Sequence, residues 1–441
     1  MAKEKIYSRH VVKSDGKQSG DEWKAFLKGM MSPEGKPEAL DDIVVLDLSY
    51  ANFCGVIASG FLAEAGAEVI TVEPPGGDPC RAFAPHGLQK EGAGAPYLME
   101  ARNKRRLCLD LEQHKDRENL RKLAARADLL IDTYAAGELD ALGLGFRQLK
   151  EINPAMVYLA ITPFGHFRPI DSPLARTPWS DLTSQAFSGL NALVGGLPDE
   201  PEPYNRPTRA GFYAAGYATA VEAATGALVA LFHSRVTGKG QMIDVAAADA
   251  YSSCVGVPPT IGHVWKKARI RYGTLDYGLC PYGFFKCKDG FVAIACFRDQ
   301  DFRAALKILG LWKLEEEWKT LLDRITDDLS RAKKLNDSVE QAVAEFTYEE
   351  IYKKFSEYSI KAARSKWRGG GLPVTTRMLR PAEVPEVRHW QERRTFVTDE
   401  QTGALLPTAG RLSETPLRIK WVSTGVGADN AELADKYGLD L

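Results

Sequence analysis

What this 441-residue chain lacks narrows its class first. A long apolar run is missing: no stretch of eighteen or more such residues occurs, so no membrane span is expected. The opening segment MAKEKIYSRHVVKSDGKQSG is polar and has no apolar h-region, so no signal peptide is expected. Neither sign of charge is in excess, with 57 Lys and Arg against 58 Asp and Glu. A nucleic-acid or anionic-membrane binder carries a basic surplus, so neither partner is expected. The seven cysteines (Cys54, Cys80, Cys108, Cys254, Cys280, Cys287 and Cys296) include no C-x-x-C pair. Their odd count and irregular spacing give neither a disulfide framework nor a zinc pattern, and a reducing cytoplasm is the expected compartment. The histidines show no ligand spacing, so no metal is expected. No G-x-x-x-x-G-K-[ST], G-x-S-x-G or H-E-x-x-H occurs.

What remains is ordinary globular material: 44% hydrophobic and 26% charged residues. The length suits two or three domains. Residues 1–40 are polar and read as an N-terminal extension. Ile43 to Leu48 is a short apolar run typical of a buried parallel strand, followed by a small-residue helix from Ala51 to Ala67. Further strands are expected at Glu68–Glu73, Cys108–Leu111, Asp128–Asp132 and Met156–Thr162, with helices between them. This alternation predicts a doubly wound α/β domain over 41–250. Its first turn, LDLSYANFCGV, is not a dinucleotide G-x-G-x-x-G. Long helices are expected at Asp181 to about Val194 and Ala210–Ser234, then a strand into a helix over Gln241–Ala248. Tyr282–Cys287 and Phe291–Cys296 flank Lys288-Asp289-Gly290, a hairpin signature inside a smaller α+β domain over 251–372. Residues 373–441 are read as a return segment completing the large domain. Gly369-Gly370-Gly371 reads as a flexible link or a lid.

Several segments together resemble one family. VVLDLSYANFCGVIASGFLAEAGAEVITVEPPGGDPCR (44–81), NKRRLCLDLE (103–112) and DLLIDTYAAGELDALGLGFRQLKEINPAMVYLAITPFG (128–165) are similar, in that order, to the opening motifs of the class III coenzyme A transferases. SDLTSQAFSGL (180–190), LVALFHSRVTGKGQMIDVAAADA (228–250), GFFKCKDGFVAIA (283–295) and GGLPVTTRMLRPAEV (370–384) continue the resemblance. The family also contains 2-methylacyl-CoA racemases.

The resemblance implies a Rossmann-like large domain that binds CoA, a smaller α+β domain and an interlocked ring-like dimer. It implies coenzyme A or acyl-CoA as substrate and no tightly bound cofactor. In the family, an aspartate attacks acyl-CoA and passes through an anhydride and an aspartyl thioester. That aspartate lies twenty-one residues before the Thr of TGKG, and counting back from Thr237 gives Gly216. Asp181 and Glu222 are the weak substitutes. The racemases use a His–Asp pair; before Asp181 the expected His is Ser180, preceded by Trp179, and His166 stands fifteen residues away. By the resemblance, Arg105 contacts a CoA phosphate, and Lys104, Arg81, Asn52, Gly55 and Pro74 are further CoA-site candidates. The implied role is a non-catalytic subunit beside a paralogous partner that carries the aspartate. Succinyl-CoA:benzylsuccinate CoA-transferase of anaerobic toluene degradation represents such two-chain enzymes. Two alternatives stay open: an active homodimer using another carboxylate, and a CoA-thioester-binding protein without turnover.

Overall fold

A computed structural model of the chain describes residues 20–441 except 91, 168–171, 198, 268, 277–278, 326–327, 365–373, 401, 409 and 423–424. Gly369-Gly370-Gly371 and Trp367 therefore lie outside the described residues. The chain divides into two compact units. One takes the chain up to Ser184, Tyr213–Tyr251 and Gln391–Leu441; the other takes Gln185–Phe212 and Ser252–Trp390.

The first unit begins, within the described residues, with helix α1 (Gly20–Met31) and is built on a six-stranded parallel sheet. Its elements are β1 (Val44–Leu48), α2 (Phe53–Glu64), β2 (Glu68–Glu73), β3 (Lys104–Cys108), α3 (His114–Ala124), β4 (Leu129–Asp132), α4 (Phe146–Ile152), β5 (Val157–Thr162), α5 (Asp181–Phe187, running on into the second unit), α6 (Ala214–Thr237) and β6 (Met242–Ala246). The strand order is β3-β2-β1-β4-β5-β6, so the chain winds outward in one direction, returns to the middle and winds outward in the other. Side chains alternate across the sheet, as a strand's twofold repeat requires. Val45, Val69, Leu129, Ile131, Val157 and Leu159 face one side and pack on α2 and α6. Leu46, Leu48, Ile70, Val72, Leu130 and Tyr158 face the other and pack on α3 and α4.

The third strand lies four residues earlier than the sequence pattern places it. It is Lys104–Cys108, paired in parallel register with Val69–Glu73. The run looks like a basic turn because it carries three cations in a row. Two of them are buried, Lys104 beside Asp47 and Arg106 on the Tyr97 hydroxyl within the field of Glu73, which offsets the charge that hydropathy counts.

Helix α6 runs 24 residues and ends on Gly238, whose φ of 71° suits a glycine at that cap. Its mean hydropathy reaches 1.4 over an eighteen-residue window, long and apolar enough by composition to cross a membrane, unlike the sequence-based expectation. Half of that window is buried in the protein. The buried side is mostly alanine (Ala220, Ala223, Ala227 and Ala230), which lets it lie close against α2.

The second unit holds the expected hairpin. Strands β7 (Tyr282–Cys287) and β8 (Gly290–Ala295) pair antiparallel, and β9 (Val374–Arg377) adds to β8. Helices α7 (Asp299–Leu309), α8 (Leu329–Ala344) and α9 (Tyr348–Arg364) precede β9 in the chain. Phe285, Val292, Ile294, Phe302, Trp318 and Leu335 form its core. Trp318 is buried and Trp312 is exposed. Helix α10 (Asn430–Tyr437) returns to the first unit, where Leu433 and Tyr437 join the core on the α3 side of the sheet.

Candidate functional site

The winding direction reverses between β1 and β4, and in open α/β sheets ligands bind beyond the strand ends at such a point. The two loops there are tied together. The Tyr50 amide donates to Thr133 Oγ1 at 2.9 Å, and the Ala51 amide to Asp78 Oδ2 at 3.0 Å. The Tyr50 and Tyr134 rings stack, with centroids 5.8 Å apart and planes 15° from parallel. Asn52 caps α2 by accepting the Cys54 amide at 2.9 Å, while its Nδ2 donates to the Ile161 carbonyl at 3.2 Å. Gly55 is required sterically: a Cβ there would stand 2.1 Å from Ser49 Oγ and 2.7 Å from Thr133 Cγ2.

Asp132 ends β4 beneath this rim. It accepts from the Tyr158 hydroxyl at 2.7 Å and the Tyr134 amide at 2.8 Å. Burial pushes its carboxyl up to about 6, against the opposing pull of His166 and those hydrogen bonds. His166 belongs to this rim: its ring Nε2 meets the Tyr134 carbonyl at 3.1 Å, and its amide donates to Asp244.

The three candidate cations differ sharply. Arg81 is buried and grips Glu73 with two bonds, Nε at 2.7 Å and Nη2 at 2.6 Å. Lys104 is fully buried under α2, donating to the Val56 carbonyl at 2.7 Å and Ser59 Oγ at 2.8 Å, with Asp47 at 3.6 Å. Burial lowers its ammonium to about 8. Arg105 keeps a third of its side chain exposed, pairing with Asp429 at 3.3 Å and Glu432 at 3.1 Å. Pro74 opens the turn after β2, closed by the Gly77 amide donating to its carbonyl at 2.9 Å.

Gly216 lies in the first turn of α6, and its amide donates to Asp181 Oδ1 at 3.0 Å. A Cβ at this position would meet Trp179 at 3.4 Å, Tyr213 at 3.6 Å and Asp181 Oδ1 at 3.8 Å. Asp181 is buried, and its carboxylate sits at the positive end of a 24-residue helix. Glu222 is exposed further along α6. Four rings gather over Gly216: Phe53, Phe83, Trp179 and Tyr213. Sequence reasoning did not group them, because they come from four separate segments and share no local pattern. Among the described residues, no group of three or more His, Cys, Asp and Glu side chains is arranged to hold a metal.

A family model described as CoA-transferase family III matches residues 40–430. The succinyl-CoA–D-citramalate CoA-transferase of Chloroflexus aurantiacus is 27% identical over 93% of this chain and 96% of its own length. The succinyl-CoA:mesaconate CoA-transferase of Haloarcula marismortui is 32% identical over 70% of this chain and 75% of its own. The succinyl-CoA:(R)-benzylsuccinate CoA-transferase subunit BbsE of Thauera aromatica is 36% identical, over 54% of this chain and 56% of its own. Among solved structures, a CAIB/BAIF family protein from Brucella suis superimposes with a TM-score of 0.75 at 26% identity, covering 91% of this chain and 100% of that one.

Proposed function

The chain belongs to CoA-transferase family III, and from that premise we propose that it is the non-nucleophilic subunit of a two-chain class III CoA-transferase. The observation that carries this reading is Gly216, a hydrogen where the chemistry needs a carboxylate. Only a carboxylate gives an anhydride reactive enough to take thiolate back. A paralogous partner supplies it. The partner's aspartate attacks the donor thioester and expels CoA thiolate, leaving a mixed anhydride. Thiolate returns to the aspartyl carbonyl and releases the donor acid. The acceptor carboxylate then displaces thiolate from the aspartyl thioester, and thiolate finally takes the acceptor acyl group, restoring the aspartate.

Two further features support a partner chain. The outer face of α6 carries Val221, Leu228, Val229, Phe232 and Val236, all exposed. These five recur at helical spacing, while alanines fill the inner face. A helix with its large apolar side chains outward fits a protein whose surface is covered in its working state. One relative is named as a subunit of a succinyl-CoA:(R)-benzylsuccinate enzyme and another as the alpha subunit of a succinyl-CoA–L-malate enzyme. Succinyl-CoA is accordingly the proposed donor, with benzylsuccinate or a related acid as acceptor. The proposed compartment is the cytoplasm, where seven free thiols persist.

For CoA we propose the rim at the winding reversal, with Asn52 and Gly55 shaping its loop and Pro74 flanking it. Arg105 is the proposed phosphate ligand, being the accessible one of the three cations. Lys104 and Arg81 hold internal carboxylates instead. Replacing Arg105 by Met is expected to weaken CoA binding about tenfold by calorimetry, in line with loss of one charge-assisted hydrogen bond.

Native mass spectrometry of the complex from its source cell tests the subunit reading. A second chain of similar mass in equal amount is the expected result. A homodimer that exchanges CoA between succinyl-CoA and an acid overturns it and leaves Asp181 as the replacement nucleophile, since its carboxylate lies beside Gly216.

A further inference from the structure

We propose that this chain's own acyl site is closed from within by the four rings, so that restoring an aspartate at position 216 alone does not restore the covalent step. The proposal rests on the non-nucleophilic reading above and says what became of the vacated site.

The rings are packed on one another rather than arranged around a space. Phe53 and Tyr213 stack with centroids 4.6 Å apart and planes at 26°. Trp179 stands 5.9 Å from Tyr213 and 6.3 Å from Phe53. Phe83 closes the group at 5.5 Å from Tyr213 and 6.2 Å from Phe53. All five separations fall in the range of directly packed aromatic pairs. A chain of carbon atoms between two ring faces needs roughly twice the ~3.5 Å carbon contact distance. The Phe53–Tyr213 stack leaves no such gap. Phe53 is buried, Trp179 and Tyr213 half-buried, and Phe83 more exposed.

The backbone holds the group in place. Tyr213 immediately precedes α6 with φ 51° and ψ 37°, the left-handed region that a residue with a Cβ seldom adopts. The indole N–H of Trp179 is buried, with the Cys54 thiol as its neighbour. The Tyr213 backbone is unfavourable locally and is held by the packing of the rings.

Asp181 lies beside the same position. A Cβ on residue 216 fits, with its nearest neighbours at 3.4 to 3.8 Å. A carboxylate beyond that Cβ has the Trp179 ring and Asp181 Oδ1 as its flanking neighbours. The neighbouring thiol does not serve instead: Cys54 is fully buried, and burial pushes it well above its ordinary range.

The test compares Gly216→Asp with Gly216→Asp/Trp179→Gly/Tyr213→Gly, each in the complex as purified. Succinyl-CoA is the probe. Mass spectrometry reads the aspartyl-CoA thioester on the peptide of this chain, so turnover by a partner does not interfere. The thioester forms by attack of the residue 216 carboxylate, expulsion of thiolate and its return with release of succinate. No adduct above background is expected for the single variant, and at least ten times more for the triple variant. Equal adduct in both, or none in either, overturns the proposal. A crystal of the unaltered complex with succinyl-CoA gives a second reading that does not depend on folding of the triple variant. Acyl density against Gly216 overturns closure; the four rings still packed, with the acyl group outside them, upholds it. Failure of the subunit reading shows itself separately, as turnover by the unaltered chain alone.

Discussion

Lys104 carries a charge into the interior of the sheet, and the energetics of doing so make it measurable. Its ammonium is fully buried beside Asp47, which also accepts from Ser49 and Ser59. Removing one member of a buried pair strands the other, at a cost of about 3–5 kcal/mol. Lys104→Met and Asp47→Leu are each expected to lose that much in urea unfolding, and the double variant to recover more than half of it. The pH dependence has a definite sign. The folded-state value, about 8, lies below the ordinary 10.5 of an unfolded lysine. Between these values the unfolded chain binds more protons, so stability rises with pH across that window and is flat below it. The rise is absent from Lys104→Met. Gly55 sets a second test at this scale. Gly55→Ala drives a methyl into Ser49 and Thr133, and overpacking of this kind costs about 1–3 kcal/mol. The same shift spreads the loops around Tyr50 and Tyr134, so weaker CoA binding is expected with it in calorimetry. Sequence alone marked both residues as part of a ligand loop or basic motif. It did not reveal that Lys104 points inward, because burial of a cation depends on Asp47, fifty-seven positions away.

The elements show where local pattern is sufficient and where it is not. β1, β2, β4 and β5 were legible because each is a mostly apolar run buried on both faces. β3 was not, since its apolar content is low and its stability comes from pairing with β2 and from charges neutralised at a distance. The hairpin β7–β8 was legible through its Lys288-Asp289-Gly290 turn. The ring group over Gly216 was not, as only the fold brings residues 53, 83, 179 and 213 together. Helix α6 was legible as a long helix, but its two faces mean different things. Its alanine face is core; its Val229 and Phe232 face is exposed. Val229→Glu/Phe232→Glu is therefore expected to leave the circular dichroism spectrum unchanged while dissociating the proposed complex on size-exclusion chromatography. An unchanged elution position shows that this face is not what the partner covers.

At the scale of the molecule, the first unit is assembled from three separated stretches of chain, and the last of them closes it. β3 is an edge strand, with unpaired backbone groups that invite association. The C-terminal stretch covers them: Asp429 accepts the Arg106 amide at 2.7 Å, and Asn430 accepts the Cys108 amide at 2.9 Å. Further along, Asn119 and Asp440 exchange two hydrogen bonds, which pins the final residues to α3. Leu433 and Tyr437 fill the core beneath. Ending the chain after Ala428 removes the cover and the filling together. Burying one such side chain contributes about 1.5–3 kcal/mol, so the pair is worth about 3–6 kcal/mol before the hydrogen bonds are counted. Typical stabilities of 5–15 kcal/mol leave little margin for that loss. The truncated chain is expected to unfold at markedly lower urea and to aggregate through the bared edge. The double substitution Asp429→Ala/Asn430→Ala separates the two effects. It keeps the core filling and the Asp429 amide's own bond to the Arg106 carbonyl but frees the Arg106 and Cys108 amides, so it is expected to aggregate with only a modest loss in urea midpoint. Were it to stay monodisperse under light scattering, the return segment would act by packing alone, and the capping of β3 would not be what keeps this edge from pairing.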